Sequence, residues 1–178
     1  DVVEAVKGKL DIVRDALPEG IVLRPIYERT DLVNKAVWTA VMDWTADTLL
    51  ARIDASAGPT PLDTLQAIFA AHIDFVVEHA GVPRILFGEL QRDGDAPGKT
   101  PVRALMAAYR GRVMRLLDLA KAQRQIDAQT DTAAAATLFL GMVQGLVMQA
   151  MAADDFTSMP AISQGLFAIY RDGLGVRP

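Results

Sequence analysis

Along most of this chain apolar residues recur at spacings of three and four, and no convincing period-two alternation interrupts them, so the pattern predicts a succession of helices. The first long one runs from Asp31 to Ile53. It carries two apolar rows, Val33, Val37, Ala40, Val41, Trp44 and Thr48 on one side and Trp38, Met42, Leu49 and Ile53 on another, which predicts contacts on two sides. Ser56-Ala57-Gly58-Pro59 ends it. Thr60-Pro61-Leu62-Asp63 then supplies an N-cap, a proline at the first helical position and a carboxylate in the first turn. That helix continues through Leu65, Ile68, Phe69, His72, Ile73, Phe75 and Val76 and is expected to stop at Gly81. Pro83 opens a short helix with Ile85, Leu86, Phe87 and Leu90, and Arg92 to Gly98 reads as an exposed loop. Thr100-Pro101 repeats the cap-and-proline device for a long helix with Leu105, Met106, Tyr109, Val113, Leu116, Leu117 and Ala120 inward. A last helix from Pro160 places Ile162, Leu166, Phe167, Ile169, Tyr170 and Leu174 over Gly165 and ends at Gly173 or Gly175.

One stretch departs from this amphipathic pattern. Ala133 to Ala153 holds no charge and is bracketed by Asp131 and by Asp154-Asp155. A run of about 20 such residues is long enough to cross a bilayer. Gln144 and Gln149 argue against lipid, because a buried amide needs hydrogen-bond partners. Gly141 and Gly145, one turn apart, leave room for another backbone to approach. The expectation is a helix buried all round, partly by a second copy of the chain, with no membrane involved. Gly141, Gly145, Met148 and Gln149 are then expected to meet the partner subunit together with Leu166, Phe167 and Tyr170.

Composition agrees with an oligomer. The 178 residues are 51% hydrophobic, more than a monomer of this size needs to hide, and an interface would absorb the excess. Cysteine is absent, which removes thiolate catalysis, disulfides and Cys-based zinc sites, and the first residues lack the apolar run that export requires, so a cytoplasmic setting is expected. A net charge of −4 confines any nucleic-acid contact to a local surface. The basic positions Arg103, Arg110, Arg112, Arg115, Lys121 and Arg124 read as a solvated helix face, since no aromatics interleave with them.

Catalytic chemistry finds little support. His72 and His79 stand two turns apart on one helix without the further ligands a metal requires. The carboxylate pairs Asp43/Asp47 and Asp154/Asp155 have no apolar surround to split their pKa values. No serine sits in a nucleophile elbow, and no glycine loop is placed to hold phosphate. No enzyme, metal or cofactor is expected. What remains is apolar volume: a mixture of Met, aromatics and a few polar tips, which suits a pocket for a greasy small molecule. The expected pocket residues are Trp38, Met42, Phe69, His72, Phe87, Met106, Tyr109, Phe139 and Met142.

The amino-terminal segment carries a family resemblance. Leu10 to Leu17, then Pro18-Glu19-Gly20-Ile21, then Val22 to Arg29 resemble the second helix, turn and recognition helix of TetR-family transcriptional regulators, and Thr30 to Val37 resembles the start of their long connecting helix. Ile26-Tyr27 falls where the family carries its Leu-Tyr pair. Two features depart from the pattern: Asp1 to Val6 passes straight into Lys7-Gly8-Lys9, and the aromatic and Ser-Lys expected between Tyr27 and Asp31 are missing, so the head reads as incomplete. Its cations Lys7, Lys9, Arg14, Arg24 and Arg29 are also offset by six carboxylates.

The resemblance implies an all-α chain with a helix-turn-helix DNA-binding head over residues 1–30 and an antiparallel ligand-binding and dimerisation bundle over residues 31–178. It further implies a homodimeric repressor that binds operator DNA in the major groove and is released by a small hydrophobic effector. By motif position, Arg14, Arg24, Tyr27 and Arg29 are the expected DNA contacts, with Tyr27 on phosphate. The alternative is a helical, dimeric small-molecule-binding module without DNA binding.

Overall fold

The computed structural model describes Lys9 and residues 29–91 and 99–175, and among these the regular structure is entirely helical. The chain divides into two compact units, Asp1–Asn34 and Lys35–Pro178. Most of the first lies outside the described residues. In chain order the helices are α1 (Arg29–Ala55), α2 (Pro61–Glu78), α3 (Gly81–Leu90), α4 (Lys99–Ala122), α5 (Thr132–Ala153) and α6 (Met159–Gly173).

Local chemistry fixes several of these ends. At α2 the Thr60 hydroxyl accepts from the Asp63 backbone N–H at 3.2 Å and donates to the Asp63 carboxylate at 2.8 Å, a reciprocal cap with proline at the first position. Asp131 caps α5 by accepting from the N–H groups of Ala133 and Ala134. The far end of α5 closes on Asp154 in the left-handed region (φ 53°), where the Asp155 N–H turns back to the Ala150 carbonyl at 3.0 Å.

Several expected boundaries differ: α1 runs from Arg29 to Ala55 rather than from Asp31 to Ile53, and α3 opens at Gly81 rather than at Pro83. α2 ends at Glu78, with the His79 N–H returned to Phe75 O, so Gly81 opens the next helix rather than closing this one. α4 begins at Lys99, which puts Thr100 and Pro101 inside the first turn instead of at the cap. α6 begins at Met159, one residue before the expected proline. The polar run Arg92 to Gly98 lies outside the described residues.

Packing centres on α2, which touches α4, α5 and α6, while α5 lies against both α4 and α6. The heart is aromatic: Phe69 meets Phe139 at 5.4 Å and Phe167 at 5.8 Å between ring centroids, and Phe139 continues to Tyr109 and Tyr170. These rings are buried, so their edge-to-face and tilted contacts add to an already large apolar transfer term. The Tyr170 hydroxyl is satisfied by the Ala135 carbonyl at 3.0 Å. α1 joins through its second apolar row: Leu49 and Ile53 enter the main core, and Met42 packs with Val102 and Leu105 of α4. Its other row is not covered on both sides as expected. Val37 and Trp44 remain exposed, Trp44 resting edge-on against His79.

The uncharged helix α5 is likewise one-sided within this chain. Ala135, Ala136, Phe139, Val143, Leu146, Val147 and Ala150 are buried at helical spacing, whereas Leu138 and Met148 are 57% and 45% exposed. The helix is long and apolar enough to cross a membrane by length and composition alone. Its packing is that of a core helix with one uncovered face.

Candidate functional site

Five helices converge on one cavity, and each lines it with a stripe at the helical repeat. α2 contributes His72, Phe75 and Val76, and α3 contributes Val82, Pro83, Leu86, Phe87 and Leu90. From α4 come Val102, Leu105 and Met106; from α5, Leu140, Val143, Gln144 and Val147; from α1, Thr45 and Leu49. Spacings of three and four residues within each set put every stripe on one helix face. The cavity holds about 760 Å³ of space free of protein atoms, part of it open to solvent. Its walls are overwhelmingly hydrocarbon. An apolar occupant would remove its own surface and that of the lining from water, at roughly 25 cal/mol per Å².

The polar groups on the wall are few. Thr45 is buried and donates to the Val41 carbonyl at 2.7 Å. Gln144 stands at the exposed rim with its amide 3.9 Å from the Met106 sulfur. His72 has its Nδ1 3.2 Å from the hydroxyl of Tyr109, a fully buried residue just behind the wall. Burial pushes the His72 imidazole down to about 4, so it is neutral at physiological pH, and burial likewise raises the Tyr109 phenol well above its ordinary value. Among the described residues no charged side chain lines the cavity. No group of three or more His, Asp or Glu is placed there or elsewhere in the described residues to hold a metal ion.

Three arginines of these helices are held by carboxylates outside the wall. Arg112 grips Asp54 with Nε and Nη2, tying α4 to α1. Arg52 pairs with Glu78, tying α1 to α2, and Arg84 pairs with Asp154, tying α3 to the end of α5.

Of the residues expected at a pocket, His72, Phe87 and Met106 stand together on this wall. Tyr109 lies behind it, bonded to His72. Trp38 and Met42 belong to the small cluster of α1 with α4; Phe69 and Phe139 form the aromatic heart; Met142 packs against the main core. Sequence reasoning missed the α3 stripe apart from Phe87, along with Thr45 and the valines of α5. The spacing of Pro83, Leu86, Phe87 and Leu90 held that signal, but a short apolar helix reads the same whether it faces core or cavity.

The residues expected at a subunit interface separate into two groups. Gly141, Met148 and Gln149 are exposed, and Gly145 and Leu166 are half-buried. Phe167 and Tyr170, at 2% and 3% exposure, are core residues of the chain itself, because the phase of α6 turns them toward α2 and α5. Ile162 and Ile169 take the outward positions on α6 instead. Of the expected DNA contacts, Arg14, Arg24 and Tyr27 lie outside the described residues, and Arg29 is the first residue of α1.

Comparison with solved structures places this arrangement. A TetR-family regulatory protein from Rhodococcus RHA1 superposes with a TM-score of 0.66 at 13% identity, covering 81% of this chain and 75% of its own. The fold is that of TetR-family regulators. The fatty acid degradation regulator FadR from Bacillus halodurans matches at a TM-score of 0.62 and 14% identity, over 82% of this chain and 74% of its own. A Clostridium perfringens protein described as a fatty acid metabolism regulator gives 0.63 and 14%, over 82% and 76%. At these identities the likeness to TetR-family structures is one of fold. No family model and no curated protein sequence matches the chain.

Proposed function

We propose that the chain is a ligand-responsive, DNA-binding transcriptional regulator, a cytoplasmic homodimer that represses by occupying operator DNA and leaves it when a small hydrophobic effector fills the cavity. The observation that carries this reading is the apolar cavity walled by five helices, set in a fold shared with regulatory proteins. Two of the similar structures are regulators of fatty acid metabolism, which supports an effector with a hydrocarbon body. Thr45 and Leu49 of the wall belong to α1, the helix that begins at Arg29, so occupancy has a continuous route along the chain toward the residues expected to touch DNA. An effector that binds one arrangement of that helix better than another shifts the population and with it DNA affinity. Arg14, Arg24, Tyr27 and Arg29 remain the proposed contacts, and α5 with α6 the proposed dimer face.

The test is an electrophoretic mobility shift with DNA from upstream of the gene at low salt. A specific shift supports the regulator. No shift with any upstream fragment leaves the alternative, a dimeric small-molecule-binding module, which the balanced charge of residues 1–30 favours.

A further inference from the structure

We propose that the cavity takes an uncharged, largely aliphatic molecule whose single polar group is a hydrogen-bond acceptor, such as an ester, ketone or amide carbonyl, received by Nε2 of His72. This inference rests on the ligand-binding reading above and narrows it to a chemical class.

The argument begins with Tyr109. Its side chain is fully buried, and its one described hydrogen bond is the 3.2 Å contact with His72 Nδ1. A buried hydroxyl left without an acceptor costs free energy, so the Tyr109 O–H donates to Nδ1. A neutral imidazole that accepts at Nδ1 carries its proton on Nε2. Burial keeps the ring neutral. His72 therefore presents a donor to the cavity it lines. The other polar wall groups offer less: the Thr45 hydroxyl is spent on Val41, and the Gln144 amide sits at the rim.

Charge selects further. An ionised carboxylate or phosphate entering this site loses hydration and meets no cation among the described lining residues. The guanidinium groups of Arg52, Arg84 and Arg112 are each held by a carboxylate outside the wall. A neutral carbonyl, by contrast, gains the Nε2–H bond and buries its chain against hydrocarbon.

The experiment compares three probes of matched length, methyl decanoate, decanoate and undecane, by calorimetry with the full chain at neutral pH. The ester is expected to bind at least about tenfold more tightly than the carboxylate, a difference of about 1.4 kcal/mol, and more tightly than the alkane. In Tyr109→Phe, which keeps the ring but frees Nδ1, the margin of ester over alkane is expected to shrink, and in His72→Phe to vanish. Gln144→Lys is expected to raise decanoate affinity selectively. Decanoate binding as tightly as the ester overturns the uncharged class while leaving the ligand cavity intact. Undecane equal to the ester in the unmodified chain overturns the role of His72. Binding of none of the three overturns the cavity reading itself.

Discussion

Arg112 on α4 holds both carboxylate oxygens of Asp54 on α1, Nε to Oδ1 at 2.6 Å and Nη2 to Oδ2 at 2.7 Å. The fork fixes the last turn of α1 against the middle of α4, the two helices whose Leu49 and Leu105 stand on the cavity wall. The hydrogen bond from Arg112 is the main cause holding the Asp54 carboxyl below its ordinary value. Because the folded value is the lower one, this contribution is present above the unfolded carboxylate range and is lost as pH falls through the folded value. The pair is solvent-exposed, so a double-mutant cycle of Arg112→Ala with Asp54→Ala should give a coupling of roughly 0.2–1 kcal/mol that shrinks with salt. A cycle showing no coupling at low salt contradicts the role of the fork.

Phe139 contacts Phe69, Tyr109 and Tyr170 and is fully buried. Phe139→Ala should lower unfolding free energy by about 3–5 kcal/mol in denaturant titration, since four helices meet around the void it leaves. Ile169→Ala, on an exposed site, should lie within about 0.5 kcal/mol of zero for a monomer.

His72 gives the fold a pH dependence of known sign. Its folded value, about 4, lies below the ordinary imidazole value of 6.5, so between these limits the unfolded chain binds more protons and stability rises with pH. Stability should fall on acidification through this window, by on the order of 1–3 kcal/mol. Urea midpoints measured across it should show the slope in the unmodified protein and a flatter profile in His72→Phe. Equal slopes in both would place the dependence elsewhere.

A methyl group added at Gly141 or Gly145 meets nothing within 4 Å in this chain. For a monomer, Gly145→Ala should therefore stabilise the helix by about 0.5–1 kcal/mol. For a dimer packed on that face it should weaken association, and Gly145→Glu should abolish it. Sedimentation that still shows a dimer for Gly145→Glu removes this face from the interface.

Much of the helical order was legible because capping and periodicity are local: Thr60-Pro61 and Asp131 announce their helices in the sequence itself. The inward stripe of α4 was legible for the same reason. Phase was harder. Phe167 and Tyr170 read as interface residues because an apolar helix without strong polar contrast offers two faces of equal appeal, and only packing against Phe69 and Phe139 decides between them. The cavity was half-read. His72, Phe87 and Met106 stood out as unusual residue types, while Val143, Val147 and Leu86 look like any core residue until three-dimensional packing leaves space beside them.

The central claim couples the cavity to DNA, and fluorescence anisotropy of labelled upstream DNA tests it most directly. The expected result is specific binding by the unmodified protein that medium-chain methyl esters reverse, with Leu86→Trp, whose larger side chain intrudes on the cavity wall, binding DNA but responding more weakly to the esters. Release from DNA that is equally complete in Leu86→Trp, or the absence of any specific DNA binding at low salt, would contradict it.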